Sequence, residues 1–89
     1  MLVPPSPHGV ERMRLAMLEW TPVTGSARIV AEAYDANTEM IYVRFPNGVE
    51  WWYAACPPHV WEEFSSPGQS RGQYISKVLN FKPNGRHGG

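Results

Sequence analysis

Between Ala27 and Ala54 apolar and polar side chains alternate with a period of two, interrupted twice by turn-forming residues, and this pattern limits the fold more than any other feature. Ile29, Ala31 and Ala33 would face one side of a first strand, with Arg28, Val30, Glu32 and Tyr34 on the other. Asp35-Ala36-Asn37-Thr38 supplies side chains that favour a turn. Ile41, Val43 and Phe45 then alternate with Met40, Tyr42 and Arg44 in a second strand. Pro46-Asn47-Gly48 contains an Asn-Gly pair that tolerates positive φ in a tight hairpin, after which Val49, Trp51 and Tyr53 alternate with Glu50, Trp52 and Ala54. The expectation is a three-stranded antiparallel meander whose dry side carries Ile29, Ala31, Ile41, Val43, Phe45, Trp51 and Tyr53.

The residues after the meander read as helical. Pro57-Pro58 can open a helix, because a first-turn proline lacks only an amide that would have had no intrahelical partner. Val60, Trp61 and Phe64 form the apolar side of that helix, and Ser65-Ser66-Pro67-Gly68 ends it. Ser70 stands three residues before Gln73, the spacing of a capping box. Tyr74, Val78 and Phe81 share one face of a second helix, widened by Ile75 and Leu79. The expected class is therefore α+β: the meander packed on two C-terminal helices, with Val60, Phe64, Tyr74 and Val78 completing the core. Residues 1–17, which begin Met-Leu-Val-Pro-Pro-Ser-Pro-His-Gly, are expected to form an N-terminal arm, 18–80 the domain, and 81–89 a flexible tail.

With 89 residues the chain makes one domain, since a core of this size already buries only about 60–65% of the unfolded surface. Its single cysteine, Cys56, has no internal disulfide partner, which suits a reducing compartment and leads to a cytoplasmic expectation. Neither a membrane-spanning run nor a signal-peptide order is present in these residues, so no membrane association is expected. The formal net charge of zero hides an asymmetry. From Trp20 to Ser66, Arg28 and Arg44 face Glu32, Asp35, Glu39, Glu50, Glu62 and Glu63. From Pro67 to Gly89, Arg71, Lys77, Lys82 and Arg86 face no carboxylate. The body is acidic and the last quarter basic.

In order and at matching spacing, several segments are similar to one family. They are Thr21-Pro22-Val23, Tyr34-Asp35, Phe45-Pro46-Asn47-Gly48, Trp51-Trp52-Tyr53 in place of Tyr-x-Tyr, Pro57-Pro58-His59-Val60-Trp61-Glu62, and Ser70-Arg71-Gly72-Gln73-Tyr74 in place of Ser-Lys-Gly-Arg-Tyr. From about Leu18 to Leu79 the chain resembles the KTSC domain, a short bacterial and phage domain that also occurs at the C-terminus of some lysyl-tRNA synthetases. The resemblance implies a bacterial or phage-encoded protein and, through the synthetase context, RNA as a partner. It carries over no catalytic residue.

Two kinds of binding are open on these residues. For RNA or single-stranded nucleic acid, Tyr34, Tyr42, Arg44 and Trp52 would share the outer sheet face as a stacking platform, where each base contributes about 1–3 kcal/mol. Arg71, Lys77 and Lys82 would track phosphates. The competing structural expectation is that Leu15, Met17 and Trp20 of the N-terminal region cover that face. For a protein partner, aromatic residues with few charges make an interface core, and Trp52 is the sharpest candidate. Oligomeric state is not legible.

Catalysis is not expected. Cys56 and His59 lie three apart at a helix start, where a dipole could activate a thiol, but a small apolar residue at a strand end and an exposed histidine account better for the pair. Cys56, His8, His59 and His87 lack metal-ligand spacing, and no cofactor is expected. Glu62 and Glu63, adjacent on a helix, point apart and make no acid/base pair.

Overall fold

The computed structural model describes residues 18–89. The expected arm at 1–17, including the covering role of Leu15 and Met17, lies outside them. The strands are β1 (Thr21–Pro22), β2 (Ala31–Asp35), β3 (Met40–Arg44), β4 (Glu50–Tyr53) and β5 (Asn84–Gly88). The helices are α1 (Pro58–Ser65) and α2 (Arg71–Lys77), with a 3-10 turn at Leu79–Phe81 after them. The class is α+β. The sheet is antiparallel throughout, in the order β1-β2-β3-β4-β5.

The meander forms at β2, β3 and β4 but gains a strand at each edge, so the three-stranded expectation becomes five. β1 comes from the residues before the expected first strand and pairs Thr21 with Glu32 and Pro22 with Ala31. β5 comes from the segment expected to be a flexible tail, and pairs Asn84 with Tyr53 and Gly85 with Trp52. A strand signal in sequence is a side-chain signal, and Asn-Gly-Arg-His-Gly has no apolar alternation. Backbone hydrogen bonds hold this edge instead, with the Trp51 indole N–H donating to Asn84 Oδ1 at 2.9 Å. Gly85 lies under the other tryptophan: a Cβ there would stand 2.8 Å from Cζ2 of Trp52.

Turn chemistry sets the register. Phe45 and Val49 bracket Pro46-Asn47-Gly48, with the Phe45 N–H donating to Val49 O at 2.8 Å and the Gly48 N–H returning to Phe45 O at 2.9 Å. Only Gly48 of the three has positive φ, at 89°, so the hairpin is a three-residue loop with a left-handed glycine. At the preceding turn Asp35 Oδ1 accepts from the Asn37 N–H at 2.9 Å, and Glu39 closes it at φ 54°.

One step of the alternation differs from the sequence reading. The Val30 N–H donates to Arg44 O while Ala31 registers with Arg44, so two residues stand against one and the strand resets its facing. Ile29 remains in the core, but Ala31 and Ala33 turn to the outer face and Glu32 and Tyr34 turn to the helices. This is fixed by the cross-strand pairs Glu32 with Val43 and Tyr34 with Ile41. The core between sheet and helices is Ile29, Ile41, Val43, Tyr53, Cys56, Val60, Phe64, Tyr74, Ile75 and Leu79. Phe45, Trp51 and Val78 pack against it half-buried.

The helices form where the prolines and Ser70 place them. Pro58 starts α1, and Ser70 Oγ accepts from the Gln73 N–H at 3.3 Å to cap α2. α2 ends at Lys77, with Val78 at φ −125° and ψ −60°. The chain tightens into the 3-10 turn, so Phe81 leaves the face that Tyr74 occupies and stands 84% exposed.

Candidate functional site

The residues expected to form one binding surface are dispersed, and most are occupied. Tyr34 is on the helix side. Its ring stacks on Trp61 with centroids 5.3 Å apart and planes 4° from parallel, and its hydroxyl donates to Cys56 O at 2.7 Å. Burial and the nearby Glu39 raise its pKa, which keeps that hydroxyl a donor. The shared platform with Tyr42, Arg44 and Trp52 is therefore corrected by the reset at Val30 and Ala31.

Tyr42, Arg44 and Trp52 do share the outer face, with Tyr42 directly opposite Trp52. Tyr42 is only 3% exposed, too enclosed for base stacking; its hydroxyl donates to Met40 Sδ, and its ring meets the His87 ring edge-on at 4.8 Å. The Arg44 guanidinium pairs with Glu50 Oε2, at 2.9 Å from Nε and 2.8 Å from the terminal nitrogen, and lies 4.4 Å from the Trp20 ring centroid. Trp20, the described one of the three residues expected to cover this face, thus meets it at Arg44. Trp52, half-buried, lies across Gly85.

Arg71 is an internal staple rather than a phosphate contact. Its Nε and one terminal nitrogen donate to the two carboxylate oxygens of Glu32 at 3.0 and 3.2 Å. Its remaining donors reach Ser65 O at 3.1 Å, Gln69 O at 3.2 Å and Ser66 O at 3.4 Å. Glu32, 4% exposed, is the residue that sequence reasoning missed: the period-two pattern put it outside. A bidentate arginine on a buried carboxylate satisfies both charges geometrically and ties β2 to the end of α1 and the start of α2.

Lys77 is exposed in the last turn of α2, where a cation suits the helix dipole. Lys82 is half-buried, and its ammonium donates to Ala55 O at 2.7 Å, answering the carbonyl of a residue with φ 57°. Arg28 and Arg71 border a groove of about 430 Å³ between Val23–Arg28 and Gly68–Gly72. Arg28 lies 5.8 Å from the Phe45 ring centroid and Arg71 turns away to Glu32, so the groove brings no pair of uncommitted cations together.

The Cys56 thiol is fully buried, and desolvation raises its pKa, the opposite of what an activated nucleophile needs. His59 is exposed. Among the described residues no cluster of three or more His, Cys, Asp or Glu side chains is placed to hold a metal, and no helix is long and apolar enough to cross a membrane.

No protein-family model matches the chain, and no curated protein matches it. A solved structure does: the crystal structure of a KTSC domain protein from Yersinia pestis is similar at a TM-score of 0.69 and 25% sequence identity, over 80% of this chain and 99% of that one. The architecture is shared, and the chain carries a KTSC-like domain.

Proposed function

We propose that this domain is a small noncatalytic binding module, working in the cytoplasm, whose partner is a protein rather than a nucleic acid. The observation that carries the reading is the internal engagement of the groups a nucleic acid would need. Tyr34 is stacked on Trp61, Tyr42 is buried, Arg44 is held by Glu50 and Trp20, and Arg71 is held by Glu32. Single-strand binders instead present uncovered rings beside uncommitted cations. Phe81 and the β5 edge of the sheet stay accessible, and both are features suited to protein contact.

The test pairs two measurements on the full chain. Fluorescence anisotropy with a random-sequence single-stranded RNA should show no saturable, salt-sensitive binding in the micromolar range. Capture of a protein from nuclease-treated lysate should persist and should fall with Phe81→Ser. Micromolar RNA binding with a steep salt dependence would overturn the reading.

A further inference from the structure

We infer that β5 is a docking edge, on which an acidic, extended segment of a partner protein adds to the sheet as a further strand. This rests on the protein-partner reading above and names the partner's chemistry.

The geometry begins with the register. The Ala54 N–H donates to Pro83 O at 2.8 Å, which makes 54 and 83 a hydrogen-bonded pair. In an antiparallel ladder such pairs alternate with non-hydrogen-bonded ones, so Trp52 with Gly85 is bonded, while Tyr53 with Asn84 and Trp51 with Arg86 are not. Residues in the second kind of pair direct their own N–H and C=O away from the neighbouring strand. Asn84 and Arg86 therefore present a donor and an acceptor each to the open side, two residues apart, which is the repeat an incoming strand engages. Both residues are exposed, and among the described residues nothing pairs with that side of β5. The opposite edge is poorer, since β1 is two residues long and one is Pro22.

Edge strands are commonly protected by an internal proline or a bulge. β5 has no proline within Asn84–Gly88, and its irregularity lies at the far end, opposite Glu50 and Trp51. Asn84 and Arg86 precede it.

Charge selects the occupant. From Pro67 to Gly89 there is no acidic side chain, and Lys82 and Arg86 lie before and within the edge strand. Lys82 donates to Ala55 O, a contact to a neutral carbonyl that leaves its charge unopposed, and Arg86 reaches Gly89 O. Glu50, the nearby carboxylate on β4, already answers Arg44 and stands 3.8 Å from His87 Nε2. A segment bearing Asp or Glu complements this edge. A second copy pairing β5 to β5 would oppose cation to cation with no acidic residue from the same stretch to offset them. Phe81, three residues before Asn84, offers an apolar contact at one end of the added strand.

The experiment measures backbone amide exchange by NMR on the isotope-labelled full chain. The probe is a short acetylated peptide that alternates Glu with Val around a central Phe. Its Lys-for-Glu analogue and single-stranded polyuridine are the comparison arms. The acidic peptide should slow exchange at Asn84 and Arg86 by about tenfold or more, and the Lys analogue should not. Arg86→Glu should weaken peptide binding about tenfold. Arg86→Pro should do the same by removing an outward N–H without touching the β4 ladder; unchanged exchange at Ile41 and Val43 shows that each variant is folded. Peptide binding that leaves Asn84 and Arg86 unprotected would overturn the edge assignment alone. Concentration-dependent protection without peptide would overturn it in favour of a second copy, whereas protection by polyuridine would sink the protein-partner reading itself.

Discussion

Arg71→Ala is the substitution on which the two views of this chain differ most. Were Arg71 a surface phosphate contact, its removal would leave stability almost untouched, because exposed ion pairs contribute about 0–1 kcal/mol. In the structure the Arg71 and Glu32 side chains retain only 16% and 5% of their exposure. Deleting the guanidinium strands a carboxylate in the interior and withdraws donors from Ser65 O, Ser66 O and Gln69 O. Breaking a buried pair from one side costs about 3–5 kcal/mol. At about 0.05–0.15 kcal/mol per residue the whole chain is stable by about 4–13 kcal/mol, so the loss is a large share of the total. With about 4–8 °C of Tm for each kcal/mol at this size, a thermal melt monitored by circular dichroism should fall by at least about 12 °C. Because the pair is shielded from solvent, added salt should change that difference little. The double variant Glu32→Leu with Arg71→Met, which removes both charges and keeps bulk, should melt well above either Glu32→Ala or Arg71→Ala. A loss below about 1 kcal/mol for Arg71→Ala would refute the staple.

Gly85→Ala should cost about 1–3 kcal/mol, since the new Cβ falls 2.8 Å from Trp52 Cζ2 and the indole must move; the melt and the Trp52 indole N–H resonance report it together. Tyr34→Phe should cost about 0.5–1.5 kcal/mol by losing the bond to Cys56 O while the stack on Trp61 survives. Alkaline stability should track the tyrosines. Burial, then the hydrogen bond to Glu63, pushes the Tyr74 pKa up from 10.0 to about 12, so the folded chain keeps a proton that the unfolded chain releases. Stability attributable to Tyr74 should be intact below pH 10 and decline as pH rises toward 12. Tyr53 and Tyr34, also raised, add to the slope, and Tyr74→Phe should make it shallower in denaturant melts across that range.

The meander was legible because β3 and β4 obey a strict period of two, and Tyr53, 1% exposed, lies where that period puts it. The facing of β2 was not. A single extra residue at Val30 inverts every later side chain in the strand, and an Arg-Ile-Val-Ala run carries no sign of where the extra residue falls. The β5 strand was illegible for a different reason: it has nothing apolar to alternate, and its pairing rests on main-chain groups that every residue owns. Gly85 could not be read alone, because the need for glycine comes from Trp52, a residue far away in sequence. The same holds for Glu32, whose inward position makes sense only once Arg71 arrives to meet it.

These placements bear on what the KTSC resemblance can transfer. One of the segments that carry it, Ser70-Arg71-Gly72-Gln73-Tyr74, is spent on architecture. Ser70 caps α2 through the Gln73 amide, and Arg71 staples three elements. Gly72 sits where a methyl would meet the Arg28 Cβ at 3.4 Å, and the Tyr74 hydroxyl donates to Glu63 at 2.8 Å from within the core. A segment with those duties is constrained by folding whatever the domain binds, so likeness there argues for a common fold and is silent about a common partner. Recognition has to be sought among residues that folding leaves unconstrained. Among the described residues, Phe81, 84% exposed, and the outward amides and carbonyls of Asn84 and Arg86 are of this kind. They lie outside the Ser70–Tyr74 segment, so domains sharing that pattern are free to differ in what they capture at that edge.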